Sequence, residues 1–403
     1  MTTPAEHPLA PFRIGSSGEA GGDGARESAV TDVRVAFVTD IVTPCTAAAL
    51  EALAPRTRLT AVFCSRTGSR GMAWSSHEEI RFRHEMIEGF TIPHPSRDGT
   101  DYYLSPRVLG AICRARPQVL ISGGFSIPTL YAAAYSRVMR IPLLIQSDGT
   151  SHSEARLRLE QRIARRAFRR LAWGAVASSA PAARRFVEIG FPPARVFRAS
   201  YTTRLEPLWR VAEGRAMRQH GPLRLLSVGR LIPRKGCEWL VRAVGQAQRS
   251  GAEVHLTMVG TGPEESSLKA LAHELEITVS WRGFIDQPDL PFVYGEADAF
   301  AFPTLDDPFG MVLLEAAASG LPLIASPYAG ATEELVRDGI EGFVVDPRDT
   351  AAVADSIARL AASPELRARM GRAAQDATRG HTPEATAADY VGAIEAATAA
   401  FAR

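Results

Sequence analysis

Cysteine is scarce and scattered. Cys45, Cys64, Cys113 and Cys237 are the four in 403 residues, and no two form a Cys-x-x-Cys pair. That excludes a disulfide framework and a cysteine-ligated zinc site, and it fits a reducing compartment. Long hydrophobic runs are missing too, so no stretch is apolar for long enough to span a bilayer. Net charge is nearly absent: 46 Lys and Arg stand against 44 Asp and Glu, leaving +2. Such a balance gives no reason to expect nucleic acid as a partner. There is no H-E-x-x-H, no D-x-D beside a nucleotide signature, no G-x-S-x-G elbow and no Walker A loop. No metal or resident cofactor is therefore expected. Residues 1–30 are rich in Gly, Ser, Ala and Glu and lack the apolar centre of a signal peptide, so they read as a disordered tail. The expected address is cytoplasmic.

What is present is a core-forming composition, 46% hydrophobic, laid out as alternating strands and helices. The first half gives strands at Val33–Thr39, Leu59–Cys64, Gln118–Ser122, Ile141–Gln146 and Gly174–Ser178. Helices are expected between them, one of them an arginine-rich helix over Ser153–Leu171. That helix reads as a solvated face or as a surface for an anionic membrane. Residues 65–105, with Trp74, His77, His84, His94, Tyr102 and Tyr103, read as irregular and as a surface or binding loop. Strand–helix alternation predicts a parallel sheet covered on both faces, with ligands gathered outside the carboxyl ends of the strands. Asp40, Gly123, Gly124 and Asp148 all fall on that rim. The alternation breaks near residues 199–222 and restarts at Leu223–Val228. The expected fold class is therefore α/β, two Rossmann-like domains with parallel sheets facing across a cleft. Its parts are the tail 1–30, a first domain 31–205, a second domain 206–385, and a terminal helix 386–403.

The second half is organised around residues 302–322. A buried strand ends at Phe302, and a helix is expected from about Pro308 to Ser319. Pro308 suits its first position and Asp307 its cap; Gly320 and Pro322 stop it. A helix N-terminus aimed out of a strand's carboxyl end favours anions, and Phe309-Gly310-Met311 offers backbone for close approach. Glu315 lies in an apolar run, where a carboxylate is costly unless it is paired. It reads either as a structural glutamate held by an arginine or backbone N–H, or as an acceptor for ligand hydroxyls. Arg230 and Lys235 bracket the loop after Leu223–Val228. They read as a solvated basic loop or, if that loop faces residue 308, as two cations for a diphosphate. Gly260-x-Gly262 is half of a dinucleotide fingerprint, with Glu265 where the third glycine would stand.

Together, Ser227-Val-Gly-Arg230 with Lys235-Gly236, Met258-Val-Gly-Thr-Gly-Pro263, Arg282-Gly-Phe284, and Pro303-x4-Pro308-Phe-Gly310-x4-Glu315-Ala316 with Gly320-Leu-Pro322 resemble the donor half of the retaining GT-B glycosyltransferases of family four, the glycosyl transferases group 1. The resemblance covers residues 223–346; the first half matches in architecture alone. It implies that domain 31–205 binds the acceptor, that domain 206–385 binds the donor, and that the helix 386–403 packs back on the first domain. It implies a retaining transferase that takes a sugar from a UDP- or GDP-linked donor to a small-molecule acceptor such as a secondary metabolite, with no metal. The alternatives are a nucleotide-sugar epimerase and a degenerate sugar-nucleotide-binding protein. Arg230 and Lys235 would hold the diphosphate and Glu315 the ribose hydroxyls. Phe309, Gly310, Met311 and Val312 would line phosphate and sugar. Gly229, Gly260 and Gly262 belong to the same donor-side set, and Arg282, Gly283 and Phe284 would lie near the base. Asp307 takes the place of the first glutamate in the family's E-x7-E pair and would contact the sugar. Asp148 stands in place of a histidine, so it is either catalytic and acceptor-binding or a turn aspartate. Asp40 replaces the glycine pair usual after the first strand and, with Gly123 and Gly124, completes the acceptor side.

Overall fold

The structure, a computed structural model, describes residues 32–65, 80–87, 89–92, 102–215 and 220–402. The expected tail, Trp74, His77 and His94 lie outside the described residues. The strands in chain order are β1 (Arg34–Ile41), β2 (Arg58–Ser65), β3 (His84–Met86), β4 (Phe90–Ile92), β5 (Tyr102–Leu104), β6 (Val119–Gly123), β7 (Leu143–Ser147), β8 (Gly174–Ala177) and β9 (Val196–Arg198) in the first half. The second half contributes β10 (Leu223–Val228), β11 (Val254–Val259), β12 (Val279–Trp281), β13 (Ala299–Phe302), β14 (Leu323–Ala325) and β15 (Gly342–Val344).

Seven strands form one parallel sheet in the order β3-β2-β1-β6-β7-β8-β9, and six form a second in the order β12-β11-β10-β13-β14-β15. The sequence dictates this pairing. Val-Ala-Phe-Val in β1 and Leu-Leu-Ser-Val in β10 are buried residue after residue. Only a strand covered on both faces accepts such a run. In the second half, one face of the sheet packs on the helix Cys237–Arg249 through Leu240, Val241 and Val244, and the other on the helix Met311–Ala318 through Leu313 and Leu314.

Several elements depart from the sequence reading. Residues 84–86 extend the first sheet beyond β2, and Phe90–Ile92 pairs antiparallel with Tyr102–Leu104. Three-residue strands show no periodicity, so this region was read as irregular. The strand β1 runs on to Ile41, which puts Asp40 inside it. The arginine-rich helix begins at Leu159 rather than Ser153, because the Gln161 side chain accepts from the Arg158 N–H at 3.0 Å and fixes the start there.

The last helix, Pro383–Phe401, lies on the first half. Its Tyr390, Val391, Ile394 and Ala397 share a core with Phe37, Leu50 and Leu53, and Tyr390 meets Phe37 edge-on at 5.8 Å. The halves also touch where the helix Ala180–Ile189 meets Gly330–Leu335: the Ala180 N–H donates to Glu334 Oε1 at 2.6 Å and Arg184 grips Glu333 through two bonds. The carboxyl ends of β7 and β13 face one another across the remaining gap. There His152, after β7, reaches the Leu305 carbonyl, after β13, at 2.8 Å.

Candidate active site

Two loops at the carboxyl end of the second sheet build the site. The first follows β10 and carries Gly229, Arg230 and Lys235. The second follows β13 and carries residues 303–310. They are laced together: the Arg234 carbonyl accepts from Leu305 N at 2.8 Å, Asp306 N at 3.3 Å and Thr304 Oγ1 at 3.1 Å. The Lys235 ammonium pairs with Asp307 Oδ2 and sits 5.5 Å from the centre of the Phe302 ring. Both side chains of the pair are mostly buried, 15% and 16% exposed. The loop thus faces the Asp307 segment, and the solvated-loop reading of Lys235 does not hold. One guanidinium nitrogen of Arg230, Nη1, is buried and has no hydrogen-bond partner among the described residues. A buried donor of that kind is costly.

The expected start of the helix is corrected. It spans Met311–Ala318, with Gly310 as its N-cap at φ 100° and ψ 62°, a left-handed conformation that favours glycine. Pro308 lies outside it and Asp307 does not cap it. Residues 307–309 instead run alongside 328–331: Asp307 N donates to Tyr328 O at 3.1 Å, and Ala331 N to Phe309 O at 2.8 Å. Asp307 Oδ1 accepts from the Phe309 N–H at 3.2 Å. Its carboxylate serves this loop and Lys235, and the helix N-terminus is left with backbone alone.

Glu315 is 7% exposed. Among the described residues neither an arginine nor a backbone N–H holds it; the buried Tyr294 hydroxyl donates to its Oε2 at 2.8 Å. Burial pushes its carboxyl up to about 7, against the lowering effect of that hydrogen bond.

Across the gap, burial pushes Asp148 up to about 6, reinforced by the nearby carboxylates Asp307, Glu154 and Asp306. Asp40 is also pushed up to about 6 by burial, and its Oδ1 has no partner among the described residues. Gly123 packs beside Thr39, where an added Cβ would stand 3.1 Å from Oγ1, and the Gly124 N–H donates to the Gln146 carbonyl at 2.7 Å. The structure therefore brings Asp148 to Asp307, while Asp40, Gly123 and Gly124 line the neighbouring strand ends.

With this geometry in hand, residues 215–377 match the family described as "Glycosyl transferases group 1". The segment belongs to that family.

Related sequences also match part of this chain. The chain is 37% identical over 157 residues to a GDP-mannose-dependent alpha-(1-6)-phosphatidylinositol monomannoside mannosyltransferase of Mycolicibacterium smegmatis, covering 36% of this chain and 41% of the relative. It is 32% identical over 148 residues to an alpha-D-kanosaminyltransferase of Streptomyces kanamyceticus, covering 36% of this chain and 38% of the relative. The match thus spans about two fifths of these relatives' length. Among solved structures, Anabaena Alr3699/HepE in complex with UDP is similar with a TM-score of 0.72 at 19% identity, over 90% of this chain and 99% of that one. The sucrose-phosphate synthase of Thermosynechococcus elongatus follows at 0.68 and 17%, over 91% and 100%. The fold is GT-B.

Within the glycosyl transferases group 1 segment, the remaining expected residues divide. Phe309 is buried against Tyr201, ring centres 5.3 Å apart, while Met311 and Val312 are half-buried in the first helical turn. Arg282 pairs with Glu296 at the surface, and Phe284 beside Gly283 is 64% exposed. Gly260 and Gly262 serve the protein's own packing: a Cβ on Gly260 would lie 1.9 Å from the Gly229 carbonyl oxygen, and one on Gly262 2.2 Å from that of Leu231. Gly262→Ala is accordingly expected to displace the Arg230 loop and to cost roughly 1–3 kcal/mol, the scale of overpacking. Urea denaturation checks it; an unchanged midpoint would show that the loop yields without cost.

Sequence reasoning missed Tyr294, Tyr328 and His152. Tyr294 stands 21 positions before Glu315, with no local pattern joining them. His152 lies four residues after Asp148, which was signal enough to include it.

Proposed function

We propose that the protein is a retaining glycosyltransferase that moves a sugar from a UDP- or GDP-linked donor to a small-molecule acceptor. The observation that carries this reading is the convergence, at one sheet end, of Arg230's unpartnered guanidinium nitrogen, the Lys235–Asp307 pair and the N-terminal end of the helix bearing buried Glu315. The printed names of the relatives support a nucleotide-sugar donor: GDP-mannose in one, UDP bound in another. The family match does not favour the epimerase reading.

In this reading Arg230 and Lys235 offset the charge that grows on the departing diphosphate. The free N–H groups at Met311 and Val312 add the helix's positive end. Glu315, ionised, accepts from the ribose hydroxyls, and Asp307 accepts from the sugar. Asp148, facing Asp307 from the other half, meets the acceptor. Attack from the face the nucleotide leaves retains the anomeric configuration, with a diphosphate oxygen taking the acceptor's proton. Charge is offset by side chains, so no metal is required.

Melting curves with UDP, GDP and their glucose and mannose conjugates test this. One nucleotide at about 100 times its Kd should raise the melting temperature by roughly 5 °C, and equally in EDTA and in magnesium. A shift seen only with a divalent ion would assign the charge compensation to that ion. No shift with any of them would overturn the reading.

A further inference from the structure

We infer that His152 is a positioning residue: from across the cleft it pins the loop that carries Asp307, and so sets how tightly the donor's sugar is held relative to its nucleotide. The inference rests on the glycosyltransferase reading and on Asp307 meeting the sugar.

His152 belongs to the first half, in a turn closed by Thr150 and Ser153, whose backbone N–H groups each donate to the other's hydroxyl at 2.9 and 3.1 Å. The ring's hydrogen bond and its stacking contact both fall on the second half. Nε2 donates to the Leu305 carbonyl at 2.8 Å, and the ring stacks on Tyr328 with centres 4.5 Å apart and planes 19° from parallel. Leu305 lies two residues before Asp307. Tyr328 supports Asp307 from the other side, accepting its backbone N–H at 3.1 Å. The Tyr328 hydroxyl is itself held, donating to Asp346 Oδ2 at 2.7 Å and accepting from Arg348. His152 therefore touches Leu305 and Tyr328 on either side of Asp307, and among the described residues its ring makes no hydrogen bond or ring contact within its own half.

The hydrogen bond and the stacking act on one small loop. Arg230 and Glu315, which would hold the nucleotide, stand on other supports, and Lys235, although paired with Asp307, is carried by its own loop after β10. Losing His152 should therefore loosen the sugar's partner and leave the nucleotide's partners in place. That separates it from a residue that merely stabilises the fold.

The test uses the full chain and calorimetric titration with UDP, UDP-glucose, GDP and GDP-mannose. For the nucleotide pair that binds the wild type, His152→Ala should weaken the nucleotide sugar about tenfold, the scale of one hydrogen bond and one ring contact, with the bare nucleotide within about twofold. His152→Gln, which keeps a donor for Leu305, should recover part of the loss. Because the ring is exposed, circular dichroism should show both variants folded. Equal weakening of nucleotide and nucleotide sugar, or no weakening of either, would overturn the inference while leaving the glycosyltransferase reading intact. Failure of the wild type to bind any of the four ligands would overturn that reading, and the inference with it.

Discussion

Replacing Lys235 with alanine is expected to cut turnover by roughly 10²-fold or more, the scale of losing one charge partner in a transition state. The structure adds a second consequence. The ammonium pairs with Asp307 inside a site where both side chains are mostly buried. Its removal leaves a mostly buried carboxylate without its cation beside the Phe302 ring, which is costly and weakens sugar binding as well. The chain contains two lysines, Lys235 and Lys269, among its 46 Lys and Arg, so an ammonium at this place is not the default cation of the sequence. A compact point charge fits between Asp307 and the ring, and a guanidinium does not share that geometry. Lys235→Arg should therefore restore less than a tenth of the lost rate, an estimate from the same single-charge scale. Steady-state kinetics with far-ultraviolet circular dichroism check both variants. Wild-type turnover in a folded Lys235→Ala protein would remove Lys235 from the chemistry.

Glu315→Gln should separate stability from function. The folded carboxyl is raised to about 7 from 4.5, chiefly by burial. Between those values the folded state holds a proton that the unfolded chain has released. Stability contributed by this group is thus full below about pH 4.5, falls as pH rises, and levels off above about 7. The cost at pH 8 is on the order of 3 kcal/mol. Glutamine does not ionise, and its carbonyl still accepts from Tyr294. The variant should melt like the wild type at pH 4.5 and at a higher temperature at pH 8. Its affinity for the nucleotide should meanwhile fall roughly 10- to 150-fold, the scale of losing a hydrogen bond to a charged group. Melting temperatures across pH and titrations with UDP and GDP check the two halves. Retained affinity would reassign Glu315 to the core, as the buried partner of Tyr294.

The parallel sheets were legible because β1, β6 and β13 are near-continuous apolar runs and β10 and β11 are mostly apolar with two polar residues each, each followed by a polar or glycine-bearing turn. The donor side was legible as well, since its residues come in four short blocks at fixed spacing. What the sequence hid were choices settled by distant partners. Asp307-Pro308 has the local form of a helix start. Yet the segment pairs with residues 328–331, and the Pro308 carbonyl lies so close to Gly330 that a Cβ there would stand 2.1 Å from its oxygen. The helix does not begin until after Gly310. Tyr294, His152 and Tyr328 meet their partners from 18 to 153 positions away, and no window of sequence carries such a contact. The three-residue strands β3, β4 and β5 are too short to show a period.

The helix Pro383–Phe401 has a consequence for the order in which the molecule is made. Tyr390, Val391 and Ile394 are a wall of the core around Phe37 and Leu50, and Thr386 Oγ1 anchors the crossing by donating to the Ser200 carbonyl at 2.9 Å. A ribosome delivers β1 before the second half and this wall after it. Domains that fold as units during synthesis do so from the N-terminus onward, but here the first half emerges with one flank of its sheet uncovered. The second half has both its faces by residue 377 and can close before the first. The nascent first half must therefore wait, with Phe37 and Leu50 lacking that wall, for about the time needed to translate the intervening residues, tens of seconds at roughly 5–20 residues per second.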